Sequence, residues 1–229
     1  MAISIDTVYQ KVLALANKEQ RGYITPQEFN LFADQAQKEI FEQYFYDSNQ
    51  LTRSQSNSKE YGDIVDNLNE KIAVFETTAN IASGVIQAND LYRLGTVIHN
   101  NTEVEEVQQN EILYINKSPL TRPTSKRPVY VRVGELNIEI YESDTLINTL
   151  AGVTCTYLKN PSKPSWGYVV INGRAMYDST NKVDFELHNA EENELVYKIL
   201  KYAGISMKRD NLARGSQDLE LLQVQQEKQ

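Results

Sequence analysis

The sequence predicts an α+β fold: an N-terminal helical hairpin and a third helix, a central antiparallel β region, and a C-terminal helix with an extended tail. Three observations predict it. Apolar residues recur at three- and four-residue spacing between residues 8 and 75, the period shortens toward two after Thr77, and the helical spacing returns near residue 190. The divisions are 1–78 (helical), 79–188 (β-rich, with two proline-bearing arms) and 189–229, the last forming one structural unit with the first.

Val8, Val12, Leu15 and Ala16 predict a short first helix, entered at Ser4 or Asp6 and folding back on the second as an antiparallel pair. The second helix has the strongest pattern: Phe29, Phe32, Ala33, Ala36, Ile40, Tyr44 and Phe45 share a face, with Asp34, Lys38, Glu39 and Glu42 mostly outside. Thr25 can accept from the orphan amides of the first turn, Pro26 suits the first helical position, and Glu28 can reach back to the Thr25 amide. Residues 46–58 are rich in Ser, Asn and Gln and predict a surface loop or mobile tip. A third helix over 59–75 carries Tyr61, Ile64, Val65, Leu68, Ile72 and Phe75 on its apolar side, with Gly62 weakening its first turn.

Strands are expected around Ala79 and Ile81 and over 91–98, 129–133, 136–141 and 152–158. Residues 103–116 fit a strand and turn or a short helix, and a helical turn over 110–115 is favoured. The stretch SPLTRPTSKRP, residues 118–128, has three prolines and three cations without periodicity and predicts an extended contact arm. NPSKPSW, residues 160–166, is a second proline turn. Residues 168–171 and 174–177 flank Asn172-Gly173, the dipeptide of a type I′ hairpin. The last helix should span 190–203, with Leu195, Ile199, Leu200 and Ala203 inward and Gly204 as its left-handed stop. The Gln- and Glu-rich residues 215–229, with Leu219, Leu221, Leu222 and Val224, predict a tail that orders on a partner if at all.

Composition narrows the function. A chain of 229 residues with 41% hydrophobic content can bury a core, and a net charge of −8 with a pI near 4.9 argues against a nucleic-acid groove or an anionic membrane as partner. No apolar run reaches membrane-spanning length, residues 1–6 lack signal-peptide character, and the single Cys155 cannot form an internal disulfide, so synthesis should end in a cytoplasm. His99 and His188 have no metal-ligand neighbours at useful spacing, and Cys155 reads as a small core residue. No phosphate loop, nucleophile elbow or paired carboxylates support enzymatic chemistry, and no cofactor is implied.

One metal reading competes. Counting Asn17 as position 1 of an EF-hand loop puts Glu19 at 3, Arg21 at 5, Gly22 at 6, Ile24 at 8 and Glu28 at 12. Asn17, Glu19 and Glu28 are then the candidate ligands, a thin set for a hard divalent ion. Arg21 at a ligand position opposes it, since unit charges about 4 Å apart interact by roughly 4 kcal/mol near a surface. A capping box explains Thr25, Pro26 and Glu28 equally well. Trp166 could be a stacking platform, but stapling its loop to the sheet edge is the better reading. Arg122, Lys126 and Arg127 suit an acidic neighbouring subunit better than phosphates in so acidic a chain. With Trp166, Leu219 and Leu222 they are the candidate interface residues.

Taken together, VYQKVLALANKEQRGYITPQEFNLFADQAQKEIFEQYF, YLKNPSKPSWGYVVINGR and VDFELHNAEENELVYKILKYAGISMKRD resemble a family of virion structural proteins of crAss-like and related short-tailed phages. The resemblance implies a ring-forming subunit of the head-to-tail connector, stacked near the portal in twelve copies, with no catalytic residues. Implied partners are copies of itself, the portal and other connector or tail proteins, with DNA passing through the channel without specific binding and no membrane involved. The virion neck would be its location, and the host cytoplasm its place of assembly. The alternatives are an EF-hand-like calcium module and another virion position, in the tail or associated with the capsid.

Overall fold

A computed structural model of the chain describes residues 3–16, 24–53, 59–143, 152–206 and 210–227, and these hold helices and a mostly antiparallel sheet in an α+β fold. The helices are α1 (Ile5–Ala16), α2 (Pro26–Arg53), α3 (Lys59–Ala73), α4 (Ile112–Ile115), α5 (Glu192–Ser206) and α6 (Asp210–Glu227). The strands are β1 (Glu76–Ala82), β2 (Val85–Ile86), β3 (Leu91–His99), β4 (Thr102–Glu106), β5 (Val129–Arg132), β6 (Ile138–Tyr141), β7 (Val153–Lys159), β8 (Tyr168–Ile171) and β9 (Arg174–Tyr177). The chain divides into a helical unit, Met1–Val74 with Pro161–Gln229, and a sheet unit, Phe75–Asn160.

In the helical unit α5 is the centre. Leu195, Val196, Ile199, Leu200 and Ala203 are buried around much of its circumference, and α1, α2 and α6 all pack on it. The predicted α1–α2 hairpin is therefore corrected: those helices meet through the edge-to-face rings of Tyr9 and Phe29, 4.7 Å apart, but α5 is the chief neighbour of α1. Leu15 is exposed instead of inward. The α2 stripe is buried at Phe29, Ala33, Ala36, Ile40, Phe41 and Tyr44, while Phe32 and Phe45 are half-buried. The Thr25 cap forms as expected: Glu28 N–H donates to Thr25 Oγ1 at 3.3 Å and the Thr25 amide donates to Glu28 Oε2 at 3.0 Å. The bond from the Thr25 amide, with a second from the Thr25 hydroxyl to Glu28 Oε2 at 2.8 Å, lowers the Glu28 pKa.

Four further expectations change. α2 runs on to Arg53 through most of the predicted loop, aided by the Gln43–Asp47 hydrogen bond at 3.0 Å and by packing on α3, which outweigh the weak helix preference of Ser48 and Asn49. Residues 54–58 lie outside the described residues. α3 ends at Ala73, before Phe75. α5 continues through Gly204 to Ser206, because a buried glycine inside a packed helix costs only about 1 kcal/mol. Most of the predicted loose tail is the helix α6, its Ser216 buried and its Glu220 bonded to α5.

The sheet unit orders its strands β2-β1-β7-β3-β4-β5-β6, all neighbours antiparallel except β4 and β5. β5 is buried on both faces. Tyr130 joins Val97, Val104, Ile138, Ile140, Val153 and Cys155 in one core, whereas Val129 and Val131 meet Ile112 of α4 and Val107 in another. The predicted extended arm at 118–128 is instead a run of turns, with Thr124 and Arg127 exchanging backbone bonds of 3.2 and 2.8 Å and Pro123 and Pro128 buried.

Candidate interaction surface

Residues 161–167 are held down on the helical unit before the chain turns out into a hairpin. Trp166 is only 3% exposed. Its indole N–H donates to Asp6 Oδ1 at 2.9 Å, its amide donates to Asn30 Oδ1 at 2.8 Å, and its ring lies 4.3 Å from that of Tyr9. Gln37, fully buried on α2, bridges the same loop: its Nε2 donates to the Ser162 carbonyl at 2.8 Å and its Oε1 accepts from the Glu186 amide at 3.0 Å. Trp166 as an interface residue is thus a correction, since a buried ring with a satisfied N–H offers a partner nothing. It staples its loop to α1 and α2 as well as stacking on the end of the β8–β9 sheet, and the second proline-bearing stretch is no free arm.

Gly167 makes this packing possible. A Cβ there would lie 2.6 Å from the Asp178 carbonyl oxygen and 2.7 Å from the Asn181 carbonyl carbon. Beyond it β8 and β9 pair alone, with Asn172 at φ 52° and Gly173 at φ 75° forming the left-handed turn. Opposed residues share a face. Tyr168 and Tyr177 stack beside Trp166 at 6.0 and 5.6 Å, with the Val170–Ala175 pair continuing that face. The other face carries Val169, Met176, Ile171 and Arg174, all exposed, the first three half or more. A two-stranded ribbon is marginal in water, and one with apolar residues on both faces asks for cover.

The second exposed surface is α6. Lys198, its side chain 5% exposed, sits among Glu220 of α6 at 2.7 Å, Glu39 of α2 at 3.0 Å and Glu194 at 3.5 Å. Burial alone would lower the Lys198 pKa, but hydrogen bonds to Glu220 and Glu39 and the Glu194 charge raise it. Tyr202 donates to Glu39, and its pKa is pushed up to about 12 by burial and by that bond. Burial works against the charged form of Glu39, but the bonds from Tyr202 and Lys198 outweigh it and lower the pKa. With Glu220 turned inward, a helix of 100° per residue turns Asp218 and Leu222 outward, with Leu219 and Leu221 on the flanks. All four are exposed.

The sheet unit also exposes Leu113, Tyr114 and Leu120, the last 94% exposed, and, a few residues further along the chain, the cations Arg122, Lys126 and Arg127. Arg127 bonds Glu105 at 3.0 Å.

Of the predicted interface residues, then, Leu219 and Leu222 are exposed on α6, Arg122, Lys126 and Arg127 are exposed on the sheet unit, and Trp166 lies beneath the hairpin. The hairpin residues Val169, Val170 and Ile171 were missed, although three consecutive β-branched residues beside a two-residue turn signal a ribbon without a polar face.

The Cys155 thiol is buried, which pushes its pKa up. His188 Nδ1 accepts from the Ala190 amide at 3.3 Å, and buried His99 places Nε2 3.2 Å from Glu142 and 2.9 Å from Asn100. Asn17 and Glu19 of the calcium reading lie outside the described residues, and Glu28 is engaged by Thr25. Among the described residues no group of three or more His, Cys, Asp or Glu could hold a metal ion, and no helix is long and apolar enough to cross a membrane. No protein-family model matches the chain, and no curated protein matches it.

Proposed function

We propose that this protein is a virion structural subunit that forms a ring in a phage head-to-tail connector, stacked near the portal and lining the DNA channel. The observation that carries the assembly reading is the clustering of uncovered apolar side chains on three separate elements: the β8–β9 hairpin, the α4 turn and α6. Scattered apolar residues are ordinary on a surface, whereas clusters mark contacts with other molecules. Separate patches suit a subunit that meets lateral neighbours through some surfaces and stacked partners, the portal and other connector or tail proteins, through others. The virion assignment and the twelve copies rest on the resemblance of the three quoted stretches.

The net charge of −8 on each copy supports a channel through which DNA slides without adhering. Light scattering and negative-stain images of the purified chain test the reading. Rings or polymers are expected, and a strict monomer at high concentration sinks it. Tight sequence-independent DNA binding at low salt would remove the channel role.

A further inference from the structure

We infer that the outer face of the β8–β9 hairpin of one copy docks on the outer face of α6 of the next. The inference rests on the ring reading and names its lateral contact. Among the described side chains, the hairpin face offers exposed Val169, Ile171 and Met176 with Arg174, and the helix offers exposed Leu222 and Asp218 with Leu219 and Leu221 on its two flanks. Among the described residues these side chains are exposed on both faces.

Charge selects the pairing. Hairpin against hairpin would bring Arg174 toward Arg174, and helix against helix would bring Asp218 toward Asp218; of the described charges on these faces, the mixed contact matches a cation with an anion among the leucines. Such a contact is heterologous, so every copy has one donor face and one acceptor face, and repeating it closes a ring when the rotation permits. The two faces are also firmly mounted. Trp166 bonds the base of the hairpin to Asp6 and Asn30, and Glu220 ties α6 to Lys198 and Lys201.

The test uses the full chain. Arg174→Asp and Asp218→Arg, both surface changes that leave the melting temperature unaltered, should each weaken self-association by about tenfold, and the double exchange should restore it. In a second arm, Ile171→Cys and Leu222→Cys chains are mixed and oxidised. The native Cys155 is 1% exposed and contributes no background, so a disulfide joining one variant to the other is expected. Oligomers that ignore both charge reversals and form no mixed cross-link overturn this contact while the ring reading stands. Cross-linking of either variant with itself in place of the mixed product also overturns it. A wild-type chain that stays monomeric overturns the ring reading and the contact together.

Discussion

The indole N–H of Trp166 donates to the carboxylate of Asp6 at 2.9 Å, joining residues 160 positions apart. This bond fixes the first helix to the loop that launches the hairpin. Trp166→Ala should cost about 3–5 kcal/mol. Asp6→Ala, which leaves the buried N–H without its acceptor, should cost about 1–3 kcal/mol. Urea denaturation followed by tryptophan fluorescence measures the second directly, and circular dichroism serves the first.

Lys198 holds three carboxylates from three helices. Lys198→Ala leaves Glu39 and Glu194 without that cation and should destabilise the helical unit by on the order of 3–5 kcal/mol. Because Glu220 also loses its shortest bond, hydrogen exchange over α6 should accelerate before global unfolding. Equal protection of α6 in the variant and the wild type would contradict this.

The same cluster sets an acid limit. The folded-state pKa of Glu39 lies below its ordinary value of 4.5. A lowered carboxylate contributes stability that is complete above the ordinary value and is lost as pH falls through the folded one. The melting temperature should therefore decline below about pH 4.5, and Glu39→Gln should flatten part of that decline. Melting curves at stepped pH check the slope.

Gly167 and Gly173 predict different penalties. At Gly167 an added Cβ meets backbone atoms at 2.6 and 2.7 Å that cannot swing aside, and Gly167→Ala should cost on the order of 1–3 kcal/mol. At Gly173 the space is open but φ is 75°, and Gly173→Ala should cost about 1–2 kcal/mol through strain alone. Gly167→Ala should also shift the near-ultraviolet signal of Trp166, while Gly173→Ala leaves it unchanged.

Calcium should produce no saturable heat in isothermal titration, since Glu28 is spent on the amide and hydroxyl of Thr25. Thr25→Ala should lower stability by about 1 kcal/mol through loss of the cap, with or without calcium present. A calcium-dependent rise in melting temperature would reinstate the metal reading.

The elements readable in the sequence are those whose signals act over a few residues. Thr25, Pro26 and Glu28 announce the start of α2 because all three partners lie within one turn. Asn172 and Gly173 announce the hairpin because few other residues tolerate its left-handed backbone. The start of α1 shows the opposite case. Its Ile5 amide donates to Asp184 Oδ1 at 3.0 Å from 179 residues away, a cap invisible to local spacing. The candidate surface was legible only in fragments: Leu219 and Leu222 were visible as apolar residues, but the outward direction of Leu222 and the flanking place of Leu219 follow from Glu220 reaching Lys198.

By itself the sequence determined where most helices and strands lie and how the β8–β9 ribbon turns, since periodicity and turn chemistry are properties of neighbouring residues. The tertiary structure alone decided that β7 lies between β1 and β3, that β4 and β5 run parallel, that α5 is the hub of the helical unit, and that Trp166 is buried while Val169, Ile171 and Leu222 are not. Those outcomes depend on which distant surfaces cover one another, and burial is settled among all the elements of a unit at once.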